Sequence, residues 1–550
     1  MSRVLVPATA AAALAALAVS GCGKAAPSTA TGGTTNGAAA PTANTQLPAT
    51  TPAATGDVAK ITWATYREVG TLDPIQAFDY PENTVDTALC DALVKQQPDG
   101  TLAAGLSALP EHPDDKTTVF KLQDGAKFSD GQPVTAADVV YSLKRAADPK
   151  SGGFYPQVFA RVASIAATDD HTVTLKLKQP DFWLDGELSQ MAGIIYEKAY
   201  AEKQGKKFGT PGGGIVCAGP YKVGSWKAGA QLTLVKNDNY WGPDKPKVGQ
   251  IDFKGVPDES SLTTGLITGG IDGSYPQALS ALDQLRSNPK VTVSEGPSFA
   301  MDALVISSLK GVLGDVRVRQ ALSMAIDRKA YIQTVYKGGA QLPRTLANPG
   351  SWGYGREVFA ADWAKLPEPT QDVAKAKQLV QEAGATGKTL TLGMTSEVSN
   401  LNSAANALRT AGEAIGLKVK FKAVSAQNFI NFFTDPKARE GVDGFPTVNY
   451  PDYADPAAFY NTFVSADGTQ NYSGFSDQRI TELMSQARET GDADARAKLV
   501  AEAGDRIMQQ LPWIPMAAPS NVLITSSKIT GAPASFAYMG GPWANLIGSK

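Results

Sequence analysis

The sequence predicts an α/β protein folded into two lobes, and two observations support this fold class. At 550 residues the chain is longer than one hydrophobic core usually organises, and 43% apolar residues are enough to fill two. Segments in which apolar and polar residues alternate, as in strands, are interspersed with segments that carry apolar residues at helical spacing. The strand pattern dominates the first half of the chain.

The strand pattern is clear at residues 60–65, 173–177 and 232–234. The spacing of apolar residues changes from strand-like to helical near Asp315. This residue is placed to cap the start of a helix whose apolar residues run from Val318 onward. The change predicts that a second lobe begins close to this point.

A βαβ unit is predicted in the second lobe. An apolar helical stripe stops at Gly384, a residue suited to the left-handed turn that follows many helices. A strand at 390–394, a helical segment and a second strand at 419–421 then follow. Two more amphipathic helices end at Pro512, after which strand patterns would return the chain to the first lobe.

Charge and composition exclude several functions. Lys plus Arg number 51 and Asp plus Glu 53, so the net charge of -2 offers no general attraction for nucleic acid. The two histidines, His112 and His171, are far apart and lack a zinc-ligand pattern. We therefore expect neither a metal nor a cofactor.

The first residues predict export. Arg3 precedes an apolar run that is too short to span a bilayer, and small residues follow it. Residues 17–22 (LAVSGC) resemble a bacterial lipobox, which predicts a signal peptide at 1–21 and lipidation of Cys22; the alternative is an ordinary cleaved signal with a chance cysteine. Residues 22–56 are rich in Ala, Thr, Gly and Pro and carry almost no charge, so a disordered linker is predicted there.

Two cysteines remain once Cys22 is assigned to the anchor. Cys90 and Cys217 would lie in an oxidising compartment, where disulfides persist, and we expect them to pair. The alternative is two buried free thiols, because the distance between their α-carbons does not follow from sequence.

Seven motifs, taken in order, resemble those of the family-5 extracellular solute-binding proteins of ABC importers, the family of dipeptide-, oligopeptide- and nickel-binding proteins. They are residues 70–74 (GTLDP), 117–145, 219–226, 237–242 (NDNYWG), 315–328, 452–456 (DYADP) and 511–515 (LPWIP). They extend over nearly the whole chain after the linker. Most of them are turn, core or capping residues that report fold rather than chemistry.

The resemblance implies a clamshell like that of periplasmic binding proteins, with an extra subdomain in the first lobe and two crossing strands as the hinge. Lobe I would comprise residues 57–303 and 515–550, and lobe II residues 304–514. Together with the lipobox, it predicts a monomer, lipid-anchored on the outer face of the bacterial cytoplasmic membrane, that is not an enzyme. It would capture a small molecule or peptide and deliver it to an ABC permease and ATPase.

The resemblance also indicates where a ligand would bind. In peptide-binding members an aspartate of the motif at 452–456 pairs with the α-ammonium of the ligand, which selects Asp452, whereas Asp455 suits a turn or helix cap. Other candidate ligand-binding residues stand near this motif, near the first strand or at a further aromatic position: Tyr450, Tyr453, Tyr66, Glu68 and Trp352. Relatives often carry a Trp shortly before the aspartate, and its absence here leaves an oligosaccharide or a metal chelate open as cargo.

Two alternatives belong to other functional classes. A surface hydrolase or peptidase is opposed by the missing motifs, since 387–389 (GKT) lacks the first P-loop glycine and Ser307 with Lys310 lacks the partner motifs of serine acyl-enzymes. A sensory or adhesive lipoprotein that binds ligand without import remains open.

Overall fold

The computed structural model describes residues 47–276, 280–465 and 468–550. The predicted signal peptide, the predicted lipidation site Cys22 and the linker as far as residue 46 lie outside these residues.

The strands of the described residues are numbered in chain order. They are β1 (Val58–Thr65), β2 (Val94–Gln96), β3 (Leu102–Ala104), β4 (Glu111–Asp114), β5 (Thr117–Lys121), β6 (Val162–Asp169), β7 (Thr172–Leu177), β8 (Tyr221–Lys227), β9 (Gln231–Lys236), β10 (Val248–Gly255), β11 (Gly273–Ser274), β12 (Val291–Gly296), β13 (Met301–Ile306), β14 (Ala340–Gln341), β15 (Thr389–Met394), β16 (Lys418–Ala423), β17 (Gly444–Asn449), β18 (Trp513–Pro519), β19 (Asn521–Ser526), β20 (Ile529–Thr530) and β21 (Gly548–Ser549).

The α-helices are numbered in the same way. They are α1 (Tyr80–Leu89), α2 (Ala136–Ala147), α3 (Leu184–Glu187), α4 (Lys198–Gln204), α5 (Glu259–Thr268), α6 (Leu282–Arg286), α7 (Val316–Ala325), α8 (Arg328–Val335), α9 (Arg356–Lys365), α10 (Val373–Glu382), α11 (Ser399–Ala414), α12 (Ala426–Phe429), α13 (Asn431–Thr434), α14 (Pro456–Val464), α15 (Gln478–Arg488) and α16 (Ala493–Gln510).

Lobe I is organised by a seven-stranded sheet in the order β12-β19-β11-β1-β10-β9-β8. The central strand β1 runs parallel to β10 and β11, and its alternating side chains serve two cores because successive residues of a strand face opposite sides. Ile61 and Trp63 pack in the main core of the lobe, whereas Ala64 faces a smaller one with residues of α5 and α6.

The extra subdomain of lobe I is a four-stranded antiparallel sheet in the order β4-β5-β7-β6, which α2 covers on one side. Thr135 and Asp138 form a capping box that begins α2. Phe120, Val173 and Leu143 of this unit join the main core of lobe I, so the subdomain packs as part of that lobe.

Lobe II is organised by a six-stranded sheet in the order β14-β18-β13-β17-β15-β16. Strands β15 and β16 are parallel and α11 connects them, which confirms the predicted βαβ unit. Along β13, Ala303 and Val305 face one core and Leu304 and Ile306 the other, so hydrophobic layers cover both faces of this sheet.

Two short crossings join the lobes. Strand β12 pairs in lobe I and β13 in lobe II, with residues 297–300 between them; β18 pairs in lobe II and β19 in lobe I, with Ser520 between them. The change of lobe therefore falls a few residues from the predicted boundaries, because Met301 and residues up to Pro519 pair within the lobe II sheet.

Asn348 of lobe II contacts both crossings. Its Nδ2 donates to the carbonyl oxygen of Ala300 at 2.7 Å and to that of Pro519 at 3.0 Å. The backbone of Gly350 lies so close to Ser298 that an added Cβ would come within 2.2 Å of the Ser298 carbonyl oxygen. These contacts fasten the two crossings to one loop of lobe II.

The prediction of disorder up to residue 56 is wrong for residues 47–56, which the structure holds against the end of the chain. Thr51 Oγ1 donates to the Ala532 carbonyl oxygen at 2.8 Å, and Thr530 Oγ1 donates to that of Pro52 at 2.7 Å. The Thr55 amide donates to the Ser549 carbonyl oxygen at 2.9 Å. Leu47 is the one large apolar residue of this segment, but backbone pairing does not require such residues. No helix in the described ranges is both long and apolar enough to cross a membrane.

Candidate functional site

Asp452 lies in the loop between β17 and α14, at the face of lobe II that meets lobe I. The same loop contains Asp455, whose carboxylate accepts from the Ala457 amide at 2.7 Å and from the Tyr354 hydroxyl at 3.1 Å. Asp455 thus caps α14, as its position before a proline suggested. Asp452 is the carboxylate of this loop that remains available for other chemistry.

The surroundings of Asp452 are unusual for a carboxylate. The Asp452 side chain is exposed to water, but it lies among many protein atoms where the lobes meet, and partial loss of hydration raises the pKa of Asp452 to about 6. Among the described residues it has no hydrogen-bond or ion-pair partner. A partly desolvated carboxylate without a counter-ion is a suitable binding group for a cation.

Glu187, at the end of α3 in lobe I, is the second such group. It is half-buried and has no side-chain partner among the described residues. Burial raises the pKa of Glu187 to about 8, the negative charge of Asp452 adds to the shift, and Arg488 opposes it. Sequence reasoning missed this residue, because no motif marks it and its neighbours come from the other lobe.

Two predicted aromatic residues flank Asp452. The ring of Tyr450 packs against Tyr80 and Phe536 of lobe I, with centroids 4.8 and 5.0 Å away, and its hydroxyl donates to the Phe78 carbonyl oxygen at 3.3 Å. Tyr453 is buried against lobe I, since an added Cβ on Gly186 would lie 2.3 Å from its ring. The Tyr453 hydroxyl is buried and has no partner among the described residues. We call Asp452, Glu187, Tyr450 and Tyr453 the interlobe site.

The other predicted residues are engaged elsewhere. Tyr66 donates its hydroxyl to Asp79, and the Glu68 carboxylate accepts from the Gly229 amide at 3.0 Å in the turn between β8 and β9, so both are held by contacts within lobe I. Trp352 lies in a core of lobe II and stacks on Phe359 with centroids 6.0 Å apart. The structure shows no contact that brings these three side chains to Asp452, because local hydrogen bonds and core packing occupy them.

A second contact region holds the lobes together beside the interlobe site. Arg488 at the end of α15 donates to both carboxylate oxygens of Asp181 in lobe I, at 2.8 and 2.5 Å, and its guanidinium lies 5.1 Å from the ring centroid of Trp183. The Phe182 amide donates to the Arg488 carbonyl oxygen at 2.9 Å. Trp183 packs within the core of lobe II although it belongs to lobe I. We call these contacts the Arg488 clasp.

Arg488→Ala is expected to weaken ligand binding by roughly 10- to 100-fold. The Asp181 side chain is fully buried, so removal of Arg488 leaves an uncompensated charge unless the lobes separate and admit water. Calorimetric titration measures the change. Arg479→Ala is the matched control, because Arg479 lies on the same helix in exposed ion pairs, which contribute little. Equal affinities for the two variants would contradict a closing role of the clasp.

Cys90 and Cys217 are joined in a disulfide, with Sγ atoms 2.07 Å and α-carbons 4.8 Å apart. The bridge ties the end of α1 to the segment before β8. Within the described ranges, no group of three or more His, Cys, Asp or Glu side chains is placed to hold a metal ion.

Two α/β lobes joined by two crossings, with unpartnered polar groups where they meet, define the class of two-lobed solute-binding proteins. Residues 103–471 match the profile of the bacterial extracellular solute-binding proteins, family 5 Middle, and the chain belongs to this family. It is therefore an extracytoplasmic solute-binding protein and not an enzyme, which confirms the family indicated by the ordered motifs.

Known relatives resemble nearly the whole described chain. The periplasmic oligopeptide-binding protein OppA of Salmonella typhimurium is 27% identical over 471 residues, covering 82% of this chain and 85% of that protein. The structure of the periplasmic binding protein DppA from Helicobacter pylori in complex with the peptide STSA gives a TM-score of 0.78 at 23% identity, covering 90% and 98%. The structure of AgaA from A. tumefaciens R10 in complex with agropinic acid gives 0.77 at 26% identity, covering 89% and 98%. The two-lobed α/β fold predicted from the sequence is confirmed.

Proposed function

We propose that this protein captures short peptides outside the cytoplasm and delivers them to the permease and ATPase of an ABC importer. The observation that carries the proposal is Asp452, a partly desolvated carboxylate that lies where the lobes meet and has no partner among the described residues. The α-ammonium of a peptide would supply the missing positive charge, and closure would desolvate the pair and strengthen it. Relatives named for oligopeptides and solved with a peptide support the same cargo.

Ligand screening tests this proposal. A ligand that binds the folded protein raises its melting temperature, so the soluble chain from residue 47 should be stabilised by peptides with free amino termini. Oligosaccharides and metal chelates are the comparison sets. The complex of AgaA with agropinic acid gives a specific reason to include a non-peptide organic acid. Stabilisation by such compounds and by no peptide would overturn the proposed cargo.

The proposal includes a lipid anchor at Cys22 after removal of residues 1–21, which places the protein as a monomer on the outer face of the cytoplasmic membrane. Its support is the sequence LAVSGC and the linker that follows it. Cys22→Ser should move the protein from the membrane fraction to the medium. Deletion of the gene distinguishes import from a sensory or adhesive role. Unchanged peptide uptake in the deletion strain would favour the sensory or adhesive role.

Peptide affinity is expected to fall as the pH drops below about 6. Burial raises the pKa of Asp452 to about 6 in the free protein, and an α-ammonium pairs with the charged form. At lower pH a proton must leave before the ion pair forms, so the dissociation constant should rise towards about tenfold per pH unit. Calorimetric titration between pH 4.5 and 7.5 measures the slope. Asp452→Asn should abolish it, and a flat profile for the parent protein would contradict the assignment.

A further inference from the structure

Glu187 and Asp452 approach each other from opposite lobes. Each stands one residue from the close contact between Gly186 of lobe I and Tyr453 of lobe II, in which an added Cβ would lie 2.3 Å from the tyrosine ring. Asp452, Asp86 and Glu187 also raise the pKa of Tyr155, after the larger effect of its burial. The interlobe site therefore contains one acidic group from each lobe.

The part of the chain that the structure describes supplies no free cation to Glu187. The charged groups that act on it are Asp452, Arg488, Asp181 and Asp455, and Arg488 is the positive one. Both carboxylate oxygens of Asp181 already engage Arg488, and the guanidinium rests over the Trp183 ring. The Tyr453 hydroxyl nearby is also buried and unpartnered among the described residues. Glu187 and Tyr453 could therefore both be satisfied by polar groups of a bound ligand.

A single α-ammonium satisfies only one of the two carboxyl groups. With its pKa raised to about 8 by burial and then by Asp452, Glu187 holds a proton in the free protein at neutral pH. A second cation beside it would stabilise the carboxylate, and the proton would pass to the buffer.

We propose that Glu187 is a second cation-binding residue of the interlobe site, and that the preferred cargo is a peptide whose first or second side chain is basic. This inference rests on the proposed function, since it takes Asp452 to hold the α-ammonium. Asp452 binds the amino terminus of the peptide and so fixes its position. Glu187 then selects lysine or arginine over an apolar side chain of similar length. The preference arises because a basic side chain pairs with the desolvated Glu187 carboxylate, which stays protonated when no cation is beside it.

The test compares peptides that differ at one group. Lys-Ala-Ala and Ala-Lys-Ala are titrated beside the same peptides with norleucine in place of lysine, which keeps the chain and removes the charge. The better lysine peptide should bind the parent protein about 10- to 100-fold more tightly than its norleucine partner. Titration at pH 7 in buffers of different ionisation enthalpy should show proton release with lysine and not with norleucine.

Glu187→Gln should remove this preference and the proton release, so that the lysine and norleucine peptides bind the variant with equal affinity. Glu202→Gln is the matched control, because Glu202 is exposed on α4 with only a 3.9 Å ion pair to Lys198. Glu187→Asp, which keeps the charge, should retain part of the preference and guards against a variant that misfolds. Equal affinities of lysine and norleucine peptides for the parent protein, or a lysine preference that survives in Glu187→Gln, would overturn the inference. Absence of binding by all the peptides would instead contradict the proposed function.

Discussion

Asp452→Asn is expected to weaken the binding of a peptide with a free amino terminus by about 2–5 kcal/mol, which is roughly 30- to 5000-fold in the dissociation constant. The amide keeps the shape of the side chain but removes the charge that would pair with the α-ammonium. Because closure on the ligand would desolvate Asp452, water would compensate only part of the loss. Calorimetric titration with one peptide, free and acetylated at its amino terminus, measures the effect.

The acetylated peptide provides the internal control. Acetylation removes the same charge from the ligand, so it should cost little further affinity once Asp452 is replaced. Asp115→Asn is the matched variant, because Asp115 lies exposed in the turn between β4 and β5 with no side-chain contact among the described residues. If Asp452→Asn and the parent protein discriminate equally between the two peptides, the ammonium contact is wrong.

Replacement of Cys90 and Cys217 by serine is expected to lower the free energy of unfolding by about 2–5 kcal/mol. The disulfide closes a long loop, with 127 residues separating the two cysteines in sequence, and such a loop gains much conformational freedom in the unfolded chain once it is opened. Both residues are buried in the main core of lobe I, so the serines would also place two hydroxyls among apolar side chains.

Urea denaturation of the parent protein and the double variant measures this loss. The same measurement on the parent protein in a reducing agent distinguishes the loss of the covalent link from the effect of the serine hydroxyls. Peptide affinity should change little in the folded double variant, because the bridge contacts none of the interlobe site residues. A midpoint equal to that of the parent protein would show that the native contacts around α1 hold this region without the bridge.

The sequence was informative about the fold where local patterns decide the structure. Asp315 caps α7 through the Arg317 amide, and Gly384 follows α10 with a φ of 60°, as their positions predicted. The predicted linker boundary failed because residues 47–56 are held by backbone pairing with β21 and the region before it, and composition carries no signal for such pairing.

The interlobe site could be predicted only in part. Asp452 was predicted from its motif, whereas Glu187, Asp181 and Arg488 belong to no motif. Hydrogen bonds between residues 307 apart in sequence bring Asp181 and Arg488 together. Tyr66 and Glu68 stood near the first strand in sequence, but proximity to a strand does not determine which hydrogen bonds a side chain makes. Trp352 was chosen as an aromatic candidate but is buried in the lobe II core. Residue type alone does not predict whether a tryptophan is buried or lines a binding site.

Asn348 has a consequence for how this protein moves. One amide nitrogen holds carbonyl groups of both interlobe crossings, so neither crossing can bend freely without the other. Two independent linkers would let the lobes twist and slide as well as close, whereas linkers fastened to one loop disfavour twisting and sliding. Asp452 and Glu187, which belong to opposite lobes, would then approach the ligand in a similar relative orientation each time the lobes close. The way in which the lobes close would thus contribute to ligand selectivity, together with the contacts of the closed state.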